Sequence, residues 1–166
     1  MESSPGERGA SGGMKITDIL CESGVIPDLK GHNKEEVLRE LAVHLAEAHP
    51  EINAERLLEV LWERERLGST AMGDGIAIPH GKFPHLNGVL AVFGRHLRGV
   101  DFESLDGNPT KLFFVLVAPE ESVGLHLKAL ARVSRLLKDD SFRHQLLSVA
   151  GRHELYETIQ YQDEKY

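Results

Sequence analysis

The apolar positions of this chain change their period twice. Between Asn33 and Leu67 they recur at helical spacing, from Ile76 to Val117 they gather in short runs, and from Leu125 onward helical spacing returns. Asn33 is placed to cap a first helix, with Glu36 completing a capping box and Val37, Leu38, Leu41, Ala42 and Leu45 forming the apolar stripe. His49-Pro50 ends it, because proline biases its predecessor away from helix. Asn53 caps a second helix through about Leu67, with Leu57, Leu58 and Leu61 inward and Gly68 as the expected stop. Ile76–Ile78, Val89–Phe93 and Leu112–Val117 read as strands, with a short extended edge piece around Val100–Phe102. Leu112–Val117 is apolar throughout, as suits a strand covered on both faces. A third helix is predicted over Leu125–Leu137, with His126, Leu130, Val133 and Leu137 on one stripe. A fourth opens at Asp140 or Ser141, carries Phe142, Leu146 and Val149, and stops at Gly151; His153–Gln160 forms the last.

Strands framed by helices before and after indicate an α/β fold: a single domain with a mixed central β-sheet of about five strands flanked by helices on both sides. That domain is expected to span residues 14–161. Residues 1–13, rich in Ser, Gly and Glu, are expected to form a disordered N-terminal tail, and 162–166 a frayed C-terminal one.

Composition narrows the function classes. A net charge of −7 argues against nucleic acid or an anionic membrane bound through a broad basic surface. Basic residues do gather at Arg64, Arg66 and Arg95–Arg98, so a local positive patch remains open. No apolar run approaches the roughly 18 residues of a membrane span, and the N-terminus lacks an apolar signal core. The single Cys21 excludes an intramolecular disulfide and fits a reducing compartment. A cytoplasmic, soluble protein with neither nucleic-acid partner nor membrane insertion is expected.

The chemistry concentrates in Arg64–Lys82: Arg-Glu-Arg-Leu-Gly-Ser-Thr-Ala-Met-Gly-Asp-Gly-Ile-Ala-Ile-Pro-His-Gly-Lys. His80 lies between proline, with its fixed φ, and glycine, with few steric limits. Ser69 and Thr70 offer hydroxyls, and Arg64 stands in the last turn of the second helix. A phosphoryl group on imidazole needs these parts: a neutral ring nitrogen, donors for its oxygens, and backbone that can come close. Other chemistries fit poorly. Gly73-Asp74-Gly75 leads into a strand rather than a helix, unlike a nucleotide-binding loop, and serine-hydrolase spacing is absent. His44 with His49, and His80 with His85, lack the spacing or the Cys and carboxylate partners of a metal site, and no metal or cofactor is expected. Cys21 is expected to be structural, and Glu120 and Glu121 to form a solvated loop.

The stretch resembles the active-site region of enzyme IIA domains of the fructose/mannitol/nitrogen type in the bacterial phosphoenolpyruvate-dependent phosphotransferase system. It carries that family's Arg-Glu-x-x-Gly-Ser-Thr, Gly-x-Gly and Ile-Ala-Ile-Pro-His-Gly elements in order, and the resemblance extends from about Met14 to Tyr161. Met72 stands where Ile is usual, and His96-Leu97-Arg98 departs from the typical strand ending. The resemblance implies that His80 accepts a phosphoryl group on Nε2 from a histidine-containing phosphocarrier protein. It makes His126 the supporting histidine, Arg64 the charge at the phosphoryl oxygens, and Ser69, Thr70 and Gly81 the phosphate-binding loop. The wording is closer to the nitrogen-regulatory type, whose phosphorylation state would govern binding to regulatory target proteins. Two alternatives are a sugar-transport IIA passing phosphate to a cysteine of a IIB domain, and a non-phosphorylated binding module.

Overall fold

The computed structural model describes residues 14–165, and in it the all-apolar run is the spine of a six-stranded sheet. The expected tail 1–13 lies outside these residues. The strands are β1 (Val25–Ile26), β2 (Ala71–Gly73), β3 (Ile76–Ala77), β4 (His80–Phe83), β5 (Leu90–Val100) and β6 (Thr110–Pro119). Their order is β1-β5-β6-β3-β2, with β4 also paired to β6. β5 and β6 run antiparallel, while β3 and β4 lie parallel to β6. Five helices follow the predicted stripes: α1 (Lys34–Ala48), α2 (Ala54–Arg66), α3 (Val123–Leu137), α4 (Asp140–Ser148) and α5 (Arg152–Asp163).

Alternation along β6 explains the layering. Phe113, Val115 and Val117 point to one face, where Val37, Leu41, Leu45, Leu57 and Leu61 of α1 and α2 complete a core. Leu112, Phe114, Leu116 and Ala118 point to the other, against Ala129, Val133, Leu136, Phe142, Leu146 and Leu155 of α3–α5. A strand apolar at every position is the only kind that can serve both cores. Asn33 and Asn53 cap α1 and α2 as expected, each accepting the backbone N–H three residues on at 2.9 Å. Glu36 reaches past the capping-box position to the His32 N–H, at 2.7 Å.

Three expectations are corrected. The sheet has β1, β2 and β4 in addition to the expected strands, and the Val89–Phe93 run and the Val100 edge piece join into the single 11-residue β5. β2 and β4 are three and four residues long, too short for a periodic signal, and Arg95 and His96 interrupt the apolar pattern of β5. The Arg95–Arg98 cluster is not a surface patch, because Arg95 is 1% exposed and spends its guanidinium on main-chain carbonyls. It donates to Leu146 and Val149 at 2.9 and 2.6 Å and to Pro27 at 3.1 Å, satisfying orphan carbonyls at the end of α4. His96 is buried beside it, with Nε2 at 2.7 Å from the Gly31 carbonyl.

The third correction concerns the C-terminal tail. Helix α5 continues through Asp163, and Gln162 and Asp163 are buried. The Asp163 carboxylate accepts from Arg132 Nε of α3 at 2.7 Å and from the Ile16 N–H at 2.8 Å, so it ties both ends of the domain to its third layer. The polar letters of this segment conceal a buried ion pair. Removing one partner of such a pair leaves the other charge stranded. Asp163→Ala is therefore expected to lower stability by about 3 kcal/mol in urea unfolding, and deletion of 162–166 to do at least as much.

Candidate functional site

The site begins with a break in a strand. β3 and β4 lie along the same edge of β6, with Ala77 opposite Phe113 and His80 opposite Leu116. Between them Pro79 has no N–H to give the ladder, although its carbonyl still accepts from the Leu116 N–H at 3.0 Å. His80 re-enters the sheet just after this interruption. Its ring meets His126, on the first turn of α3, edge to face with centroids 5.3 Å apart. From the other layer, the last turn of α2 brings Arg64 over the same ring.

The hydrogen bonds define the proton on His80. Nδ1 lies 2.8 Å from the Ile78 carbonyl, which can only accept, so Nδ1 carries the hydrogen. Nε2 is left with its lone pair, and Arg64 Nε donates to it at 3.3 Å while Arg64 Nη1 donates to the Gly68 carbonyl at 2.8 Å. Burial lowers the His80 pKa; the Ile78 hydrogen bond opposes this, the Arg64 charge assists it, and Glu65 opposes it. Burial also lowers the His126 pKa, aided by His80 and Lys82. Both rings are therefore held neutral. His126 Nε2 is buried without a hydrogen-bond partner among the described residues, beside the ring of His80. Such an orphan invites a ligand atom.

In front of these groups lies an open cleft of about 480 Å³, polar at the Arg64–His80 end and apolar toward Leu105 and Leu127. Ser69 and Thr70 line it, but their hydroxyl hydrogens are already engaged. Ser69 Oγ donates to the Phe102 carbonyl at 2.6 Å and accepts from the Ala71 N–H at 3.0 Å. The Thr70 hydroxyl donates to Glu65, and the Thr70 N–H donates to the same carboxylate at 3.1 Å. As placed, both residues build the wall of the site rather than present free donors. Gly81 has a packing reason: a Cβ there would overlap Val60 Cγ1, so glycine lets α2 lie close against β4. That approach is what brings Arg64 to His80.

Two residues of the site were not singled out by the sequence. Glu65 is buried beneath Arg64, and Lys34, the first residue of α1, reaches it at 3.0 Å. Lys34 also contacts Glu103 at 2.9 Å and lies over the Phe102 ring. A lysine opening a helix opposes the helix dipole, which is the only sequence signal that it has a partner. The remaining candidates stand apart: His85 is exposed in the turn after β4, Cys21 is exposed, and His44 Nε2 lies 2.6 Å from the Ser23 carbonyl.

The arrangement is a neutral imidazole with one lone pair aimed into a cleft beside a guanidinium, a nucleophile with a cation at hand. The chain belongs to the family described as phosphoenolpyruvate-dependent sugar phosphotransferase system, EIIA 2, whose model matches residues 18–162. It is 43% identical to the nitrogen regulatory protein of Bradyrhizobium diazoefficiens over 146 residues, 88% of this chain and 95% of that one. It is 36% identical to the fructose-specific EIIABC component of Bacillus subtilis, matching 90% of this chain but 24% of that protein. The crystal structure of nitrogen regulatory protein IIA-Ntr from Neisseria meningitidis superposes with a TM-score of 0.80 at 31% identity, covering 87% of this chain and 98% of that one.

Three expectations check this geometry. A nitrogen-resolved NMR titration should find His80 as the Nδ1–H tautomer with a midpoint below 6.5, rising when Arg64→Ala removes the nearby cation. Because His80 and His126 bind protons less readily folded than unfolded, the unfolded chain takes up more protons on acidification. Their contribution to stability thus rises with pH up to 6.5 and is lost as pH falls through that value toward the folded-state pKa. Gly81→Ala should cost about 1–3 kcal/mol by overpacking and loosen the Arg64–His80 contact; adding Val60→Ala should restore most of both.

Proposed function

We propose that this chain is a phosphocarrier of the nitrogen-regulatory branch of the phosphotransferase system. It works in the cytoplasm and accepts a phosphoryl group on His80 Nε2 from a phosphohistidine of a small histidine-containing carrier protein. The observation that carries the proposal is the Nδ1–Ile78 hydrogen bond, which reserves Nε2 as the lone-pair nitrogen next to Arg64. The nitrogen-regulatory names of the Bradyrhizobium and Neisseria relatives support the branch.

In the transfer, the Nε2 lone pair forms the new P–N bond as the carrier's P–N bond breaks and its electron pair returns to the carrier's imidazole. The transition state is loose, so positioning and charge matter most. Arg64 stabilises the phosphoryl oxygens, His126 offers its unpartnered Nε2 to one of them, Ser69 and Thr70 line the approach, and Gly81 keeps α2 close enough for Arg64 to reach. The apolar rim, with Leu105 85% and Leu127 61% exposed, receives the carrier. The phosphorylated and free forms then present different surfaces to regulatory targets.

A second possibility follows from the Bacillus relative: His80 passes its phosphate onward to a cysteine of a IIB domain in sugar uptake. Both share the first step, which the intact Arg64, His80 and His126 set favours over a non-phosphorylated binding module.

Incubation with phosphoenolpyruvate, enzyme I and the nitrogen-branch carrier should place acid-labile phosphate on the wild type and none on His80→Ala. Label persisting in that variant would move the acceptor to another residue, and absence of label on the wild type with every carrier would favour a binding module. Onward transfer to a IIB cysteine would select the sugar branch.

A further inference from the structure

We propose that Glu65 is a positioning residue for phosphoryl acceptance. Clamped by Lys34, its carboxylate locks the Ser69–Thr70 backbone to the last turn of α2 and so fixes Arg64 on His80 Nε2. The inference rests on the phosphoacceptor function proposed for His80.

The argument starts from burial. The Glu65 side chain is 2% exposed, although its immediate neighbours in sequence, Arg64 and Arg66, reach the cleft and the solvent. A carboxylate buried to that degree needs its lone pairs filled. Oε1 accepts from Lys34 Nζ at 3.0 Å and from the Thr70 N–H at 3.1 Å, and Oε2 accepts the Thr70 hydroxyl. These contacts join three segments distant in sequence: the N-terminus of α1, the C-terminus of α2 and the loop leading into β2. Lys34 carries the clamp further, to Glu103 at 2.9 Å and the face of Phe102, whose carbonyl in turn holds Ser69 Oγ at 2.6 Å.

What the clamp positions is the turn after α2. Arg64 Nη1 is anchored on the Gly68 carbonyl, and the Gly68 N–H donates to the Glu65 carbonyl at 3.0 Å. Arg64 therefore depends on the path of residues 65–70, and the Glu65 side chain ties the start of that path to its far end at Thr70. Gly68 itself has φ of +142°, so the turn has little intrinsic preference for its conformation and needs an external hold.

Electrostatics gives the clamp a signature that packing alone lacks. The groups facing His80 are Arg64 and Glu65 from α2 and His126 from α3, with Lys82 on its own strand acting on His126. Among these Glu65 is the anion. Replacing its charge without its shape should thus lower the His80 midpoint, whereas loosening of the fold would let water in and raise it.

The test compares phosphorylation of the full-length wild type, Glu65→Gln and Thr70→Val by the phosphorylated carrier, with folding of each checked by NMR. Glu65→Gln is expected to lower kcat about tenfold with the KM for the carrier changed less than twofold, because the docking rim is untouched. Its His80 midpoint should fall. In an Arg64→Ala background, Glu65→Gln should add less than twofold, since both act through one contact. Thr70→Val should reproduce part of the loss and Thr70→Ser should restore it; this pair decides the matter if Glu65→Gln does not fold. Wild-type kcat in folded Glu65→Gln, or multiplicative losses with Arg64→Ala, would overturn the inference while leaving His80 as acceptor. A wild type that takes no phosphate would instead overturn the function on which it rests.

Discussion

The hydrogen bond from His80 Nδ1 to the Ile78 carbonyl is the constraint on which the site depends. It joins two residues only two apart, and it exists because the strand is broken between them. In an unbroken strand the Ile78 carbonyl would be turned toward a neighbouring strand rather than back on the following ring. Pro79 removes a ladder donor, β3 stops at Ala77, and β4 resumes at His80 against Leu116. The tautomer of the imidazole is therefore written into the backbone. Everything else in the site acts on the nitrogen this leaves exposed.

Three layers converge on that nitrogen, and each has its own structural reason for being there. The sheet edge supplies His80. Helix α2 supplies Arg64, and can come close because Gly81 has no side chain to meet Val60. Helix α3 supplies His126, whose Cα is fixed within the first turn by its N–H bond to the Ser122 carbonyl at 3.1 Å. Both cores that hold these helices in place are built on alternate residues of β6. A cavity opened in either face would move one helix, and with it one of the two groups that flank His80.

Much of this was legible in the sequence, and the failures have common causes. The stripes of α1 and α2, their asparagine caps and the doubly covered β6 follow from periodicity, which is strong over long elements. His80, Arg64 and His126 came through local context and family resemblance rather than through spacing. What stayed hidden depends on contacts made across the chain. Arg95 looks like surface charge until α4 is seen to need its guanidinium. Asp163 looks like a frayed end until Arg132 and the Ile16 N–H are beside it. Glu65 sits between two arginines at the end of a charged helix, and it is told from a solvated carboxylate by Lys34, 31 positions earlier, and Thr70. Ser69 and Thr70 do line the cleft, but the structure gives their hydroxyls partners that no local motif announces.

The arrangement of charge is what the proposed phosphoryl acceptance would draw on. Lys34 and Glu65 form a buried pair that cancels locally, and Glu103 meets Lys34 from a largely exposed position where solvent screens it. Arg64 is different: the hydrogen bonds that hold it end on an imidazole nitrogen and a main-chain carbonyl, both neutral. The cleft thus carries one positive charge that, among the described residues, no direct carboxylate contact offsets. A phosphoryl group brings up to about two negative charges. With Nδ1 still carrying its hydrogen the His80 ring becomes cationic when Nε2 takes the group, so the net gain is about one negative charge and the proposed phosphorylation would take the site from about +1 to about neutral, a change that a docking surface would sense. Neutral histidines are essential to this balance. A protonated His80 would have no lone pair to offer, and a protonated His126 would leave net positive charge in both states. The burial that holds both pKa values down would serve the proposed nucleophile and the proposed switch alike.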